Sequence, residues 1–177
     1  DQQLNNDDFR SQERTFDLLT QVVGRAGRGK YEGAAVIQTC NPENEVIRIA
    51  AEQDYESFFN DELKTRKMLI YPPYCDICLI GFVGENEPKV RAASQKFSDK
   101  IKSELLGEYS DQKIIALGPM TARVSKISNK FRYRLILKCK NSKRFRALMS
   151  DMLRYTGTDR AFGEVSVYID INPENII

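Results

Sequence analysis

Tyr71-Pro72-Pro73-Tyr74-Cys75-Asp76-Ile77-Cys78-Leu79-Ile80-Gly81-Phe82-Val83 is the stretch on which the fold turns. Each proline fixes its own φ and pushes the residue before it out of the helical region, so a helix arriving from upstream stops here. Beyond the prolines, apolar residues occupy nearly every position from Ile77 to Val83. A strand apolar on both faces is covered on both faces, so the spacing predicts a central strand over 74–84. A domain boundary is expected at the prolines, dividing the chain into 1–72 and 73–177.

Downstream the elements alternate in a clear order. A helix over 88–107 carries Val90, Ala93, Phe97, Ile101 and Leu105 at helical spacing. A strand over 113–118 reaches Gly118-Pro119 and continues to about Ile127. Ser128-Asn129-Lys130 is a hairpin signal leading into a strand over 131–140. Ser142 then caps a helix with Phe145, Leu148, Met149, Met152 and Leu153 on one face. A last strand spans 164–170. The order β-α-β-β-α-β predicts an α+β domain with two helices on one face of an antiparallel or mixed sheet.

Upstream, residues 1 to about 12 are polar and irregular. A helix begins near Glu13 with Ser11 as its cap and Phe16, Leu19, Val22 and Val23 on one stripe; Gly27 and Gly29 end it. Ala34–Thr39 reads as a short buried strand. Asn41-Pro42-Glu43 opens a helix with Pro in its first turn. Another helix, from about Asp54 to Leu69, has Phe58, Phe59, Leu63 and Met68 as its apolar set. The acidic run from Glu43 to Glu62 reads as a solvated face.

The 177-residue chain is 41% hydrophobic, enough for an ordinary core, and its net charge of +2 does not by itself announce a nucleic-acid binder. No run of about 20 apolar residues and no charged-then-apolar leader is present, so a soluble, cytoplasmic protein that touches no membrane is expected. The chain begins at Asp1 and enters motif-like sequence at once, which reads as a piece of a longer protein. Cys75-x-x-Cys78 invites a zinc or redox reading. The sequence has no histidine and no second CxxC, and positions 75 and 78 of a strand point to opposite faces, so two small buried residues and no metal site are expected.

Two constellations carry chemistry. In Gln21-Val22-Val23-Gly24-Arg25-Ala26-Gly27-Arg28-Gly29, a helical turn would bring Arg25 and Arg28 to one side, and the glycines permit close approach. Convergent guanidiniums suit a polyphosphate; a helix C-terminus with Gly as cap and Arg facing the dipole is the alternative. The second constellation is the basic hairpin: Arg123, Lys126, Lys130, Arg132, Arg134, Lys138 and Lys140. On the strand over 131–140, alternation puts Phe131, Tyr133, Leu135, Leu137 and Cys139 on one face, and Arg132, Arg134, Ile136, Lys138 and Lys140 on the other. A basic stripe beside exposed aromatics suits single-stranded or forked DNA; a solvated sheet face with the aromatics in the core is the alternative. A smaller basic patch, Arg144, Arg146 and Arg154, lies on the helix after Ser142, where a solvated face is the simpler account.

The pattern Q-x-x-G-R-x-G-R at Gln21–Arg28 is similar to motif VI of superfamily 2 helicases. Further matches are Asp8-Phe9-Arg10-Ser11-Gln12-Glu13-Arg14-Thr15-Phe16, Gly33–Thr39, Tyr71-Pro72-Pro73-Tyr74, Leu117-Gly118-Pro119, Asn129–Arg134 and Asp170-Ile171-Asn172-Pro173. With them the chain resembles, over nearly its whole length, the PriA family of primosomal replication-restart DNA helicases. The resemblance implies the end of a second RecA-like lobe followed by the family's compact α+β C-terminal domain. It implies an ATP-dependent 3′-to-5′ helicase acting in replication restart and primosome assembly at stalled forks. Arg28 would be the arginine finger, Arg25 a second phosphate contact and Gln21 an orienting group on the ATP site. ATP and magnesium would be cofactors of the full-length protein, and the family's zinc-binding cysteines lie outside this chain. Expected partners are branched or single-stranded DNA at the basic hairpin, the acidic tail of single-stranded DNA-binding protein at Arg144, Arg146 and Arg154, and other primosome proteins. With no G-x-x-x-x-G-K-[ST] to hold phosphates, the chain alone is expected to be inactive as an ATPase. Glu13 and Arg14 fit either a structural ion pair or the family's pre-motif helix. Two rivals remain: a stand-alone nucleic-acid-binding α+β module without ATP coupling, and another superfamily 2 helicase.

Overall fold

The computed structural model describes residues 1–6, 8–26 and 34–176 and divides into two compact units, Asp1–Ile70 and Tyr71–Ile177. The first unit is helical among its described residues: α1 (Ser11–Ala26), α2 (Glu45–Glu52) and α3 (Tyr55–Leu69). Its core is small. Phe16 stacks on Phe58 with ring centroids 4.2 Å apart, and Val46, Ile49 and Ala50 close around the pair. Asn44 caps α2 by accepting from the Val46 and Ile47 amides, and Asp54 caps α3 by accepting from Ser57. Arg66 ties the helices together, donating to Glu13 at 2.8 Å and to Glu62 at 2.7 Å. Burial works against its charge, but the two carboxylates outweigh that and move its pKa up.

Several local expectations are revised in this unit. Ser11 is the first residue of α1 rather than its cap. Pro42 sits in the turn before α2, and Asn44, with a free side-chain acceptor, takes the capping role. Of the expected apolar set of α3 only Phe58 is buried; Phe59 and Met68 are exposed. The strand expected at 34–39 is not formed: its residues lie outside any ladder, and Val36 is 93% exposed. Apolar content is a weak strand signal where no neighbouring strand supplies the ladder.

The second unit is a four-stranded antiparallel sheet with the order β2-β3-β1-β4, built from β1 (Asp76–Gly84), β2 (Ile115–Ile127), β3 (Lys130–Cys139) and β4 (Ser166–Ile171). The helices α4 (Glu87–Leu106) and α5 (Lys143–Thr158) complete the β-α-β-β-α-β order. β1 is interior, as its two-sided apolar pattern predicts. Cys78, Ile80 and Phe82 of β1 and Leu135, Leu137 and Cys139 of β3 face Val90, Ala93, Phe97 and Ile101 of α4 and Phe145, Leu148, Met149 and Met152 of α5. Both helices therefore cover one side of the sheet. Ser142 caps α5, accepting from the Phe145 amide. Leu153, expected on the buried face of α5, is 41% exposed.

Two irregularities shape β2. The register with β3 slips between Leu117 and Met120, where Gly118 adopts φ 105°. A side chain there would crowd the Arg134 carbonyl, so glycine suits the bulge. A second slip falls between Thr121 and Lys126, just behind the hairpin. The hairpin closes through Ser128 and Asn129, both at positive φ, as a type I′ turn requires.

Candidate nucleic-acid interface

In the first unit, α1 carries Gln21 and Arg25 one turn apart at its C-terminal end, and both are exposed. Among the described residues Arg25 makes no ion pair. Arg28 lies outside the described residues. Glu13 pairs with Arg66, and Arg14 lies 4.0 Å from the buried Asp8, so both take part in structural ion pairs.

In the second unit the hairpin splits the basic cluster in two. Arg123, Lys126 and Lys130 are exposed around its tip, beside Val124 and Ile127, which are 54% and 47% exposed. The Lys126 ammonium lies 4.7 Å from the Phe131 ring centroid. Nearer the sheet centre the stripe is less open than alternation implies. Arg132 and Arg134 are half-buried, and Lys138 is buried, its ammonium 3.7 Å from the Tyr71 ring centroid. Burial holds the Lys138 pKa down, with the nearby Cys75 opposing. The Arg134 guanidinium donates to the Ile176 carbonyl. The reason is the C-terminal segment. Asn172 exchanges hydrogen bonds with Ile77 at 2.7 and 3.0 Å, and Ile176 is buried. This segment and Tyr71 cover one end of the face opposite the helices.

The aromatics of β3 follow the second alternative, in the core behind the polar face. Phe131 and Tyr133 lie on the helix side, packed against the core, and the Tyr133 hydroxyl donates to Glu87 at 3.3 Å. The open face instead presents Tyr168 of β4, 42% exposed. Ser166, Tyr168 and Asp170 alternate outward against Val167, Ile169 and Ile171, and that alternation was the available signal. A second signal was charge: from Gln112 to Ser150 the sequence holds eleven Lys or Arg and no Asp or Glu, so the near-neutral total hides a wholly basic third of the domain.

The arginines of α5 do not converge. Arg144 packs on Tyr109 at 4.6 Å and pairs with Asp111 at 3.5 Å and Glu108 at 3.9 Å. Arg154 pairs with Asp151 at 2.7 Å, and Arg146 donates to Asn141 at 3.3 Å. An open groove of about 710 Å³ lies elsewhere, lined by Glu87, Pro88, Arg91 and Gln95 of α4 together with Pro119 and Tyr133.

Sequence comparison places this arrangement among known proteins. Residues 67–174 match the model of the primosomal protein N C-terminal domain. The replication restart protein PriA of Bacillus subtilis is 34% identical over 98% of this chain and 21% of its own length. Those of Borreliella burgdorferi and Thermotoga maritima are 35% and 38% identical over 96% and 87% of the chain. The chain belongs to the PriA family. It spans about a fifth of the length of these relatives. The PriA C-terminal model covers the whole sheet and both of its helices, while the full-chain matches extend through α1 as well. Of the CxxC pair only Cys78 is buried in β1; Cys75 precedes the strand and is half-buried, against the expectation of two buried residues. Cys78 is fully buried beside Met149, and Cys139 donates weakly to the Asp76 carbonyl. Burial pushes both thiols up to about 12, so neither is a reactive thiolate. No described helix is long and apolar enough to cross a membrane.

Proposed function

We propose that the chain is the DNA-engaging and ATP-sensing C-terminal part of a PriA-type, ATP-dependent 3′-to-5′ DNA helicase that works in replication restart and primosome assembly in the cytoplasm. The observation carrying this reading is the acid-free span from Gln112 to Ser150, whose exposed Arg123, Lys126 and Lys130 crown the β2–β3 hairpin. Phosphate contacts from such a finger hold forked or single-stranded DNA without reading sequence. The end of α1 belongs to the second RecA-like lobe in this reading. Arg28 stabilises charge on the departing phosphoryl group of ATP bound with magnesium on another lobe, and Gln21 and Arg25 assist. Alone, the chain does not hydrolyse ATP.

The test uses the longer protein containing this chain. Replacing Arg123, Lys126 and Lys130 with Ala weakens fork binding and lowers the salt slope by about two to three. Arg28→Ala lowers ATP turnover about a thousandfold and leaves ATP binding in place. An unchanged salt slope in the first variant together with normal turnover in the second overturns the reading.

A second reading concerns the tail of single-stranded DNA-binding protein. Carboxylates already occupy Arg144 and Arg154, so these residues suit an acidic tail poorly. The groove lined by Arg91, Pro88, Pro119 and Tyr133 also carries the Glu87 carboxylate, so it offers an acidic tail no net positive charge.

A further inference from the structure

The face of the sheet turned away from α4 and α5 has a regular lattice of side chains. Tyr168, Gly81, Arg134 and Met120 stand in one cross-strand row; Ser166, Val83 and Arg132 stand in the next. Gly81 is the gap in the first row. The end of the Tyr168 ring, with its Cζ and hydroxyl, occupies the space a Cβ at Gly81 would take. The ring is thus laid along the sheet rather than raised from it, and it remains 42% exposed. Beside it lies a space of only about 10 Å³, room for a single water, lined by Leu79, Val83, Ala122, Arg132, Tyr133 and Arg134, so the usable surface is the outer face of the ring. Arg132 has no ion-pair partner among the described residues. Arg134 is held by the Ile176 carbonyl and so forms part of the floor. The acidic group nearest in register is Asp170, in the row beyond Tyr168 toward the covered end.

We propose that the exposed face of Tyr168 is a subsite for one unstacked base of single-stranded nucleic acid, the base lying on the ring and its phosphate on Arg132. An aromatic ring on an open antiparallel sheet, with an arginine one row along on the same face, offers a π-face and a phosphate contact. The glycine makes the platform possible, because any larger residue would displace the ring. The hairpin tip lies beyond Arg132 at the same end of β3, and its outer strand β2 is the opposite edge of the sheet from β4. The proposal rests on the nucleic-acid reading of the hairpin and names the form of nucleic acid it holds.

The experiment is a fluorescence-anisotropy titration of the 177-residue chain with a labelled oligothymidylate and with a duplex of the same length, across salt concentrations. Tyr168→Leu weakens oligothymidylate binding about tenfold with an unchanged salt slope, and Tyr168→Phe stays within about twofold. Duplex binding is unaffected by either. Arg132→Gln flattens the single-strand salt slope by about 0.7. Circular dichroism confirms that each variant is folded. Wild-type affinity in Tyr168→Leu, with binding lost in an Arg123→Ala/Lys126→Ala variant, overturns the stacking subsite and leaves the hairpin reading standing. Failure of the wild-type chain to bind either probe overturns both.

Discussion

Cys78 is packed between β1 and α5 with its sulfur 3.9 Å from that of Met149, and Cys139 lies one strand over on the same side of the sheet. Burial, rather than a neighbouring charge, is the main reason both thiols titrate near 12 instead of near 9. Cys75 is half-buried and shifted up for the same reason, while Cys40 is exposed. A thiol-reactive dye at pH 8 therefore labels Cys40 promptly, Cys75 more slowly, and Cys78 and Cys139 only after denaturant is added; mass spectrometry of the labelled peptides reads the order. The same shifts set a pH dependence. An acid whose pKa is raised on folding stays protonated while the unfolded chain ionises, so unfolding releases protons. Stability accordingly falls as pH rises from about 9 toward about 12, and Cys78→Ala with Cys139→Ala flattens that decline. Prompt labelling of Cys78 in the folded chain would contradict its placement in the core.

At the level of elements, the β2–β3 hairpin is where local chemistry speaks most directly. Ser128 and Asn129 sit at φ 47° and 64°, in the left-handed region that Asn tolerates and Gly prefers. Exchanging Ser128-Asn129 for Asn-Gly relieves that strain and raises stability by about 0.5–1 kcal/mol, read as a rise in Tm. Ser128→Val, a β-branched residue in the same conformation, lowers it by a similar amount or more. The hairpin, the Ser142 cap and the central β1 were legible in the sequence because each depends on residues a few positions apart. What depended on distant partners was not. The stripe through Arg134 and Lys138 follows the alternation of β3, but Tyr71 and the Asn172–Ile176 segment arrive from far along the chain to cover it. Ala34–Thr39 has strand-like residues and no ladder to join. Alternation along β4 places Tyr168 outward, but how its ring lies depends on Gly81, eighty-seven positions earlier, which leaves it room.

The two units of the molecule differ in how much they bury. The first closes around five residues, led by the Phe16–Phe58 stack, and leaves Leu18, Val22, Tyr55 and Phe59 exposed. The second has a continuous core of seventeen buried residues, all between Cys78 and Val165. Among the described residues, every strand pairing and both sheet helices also fall within 71–177. Since burial of apolar surface supplies most of the drive to fold, the residues needed for the second unit's core are all present in that segment. A chain of residues 71–177 made alone is expected to keep its near-UV dichroism and to unfold cooperatively. A chain of residues 1–70 made alone, with its small core, is expected to show helical signal but broad, weakly cooperative melting. Loss of tertiary signal from the 71–177 chain would mean that the sheet domain depends on packing from outside its own sequence, and the hairpin and Tyr168 variants would then have to be read only in the whole protein.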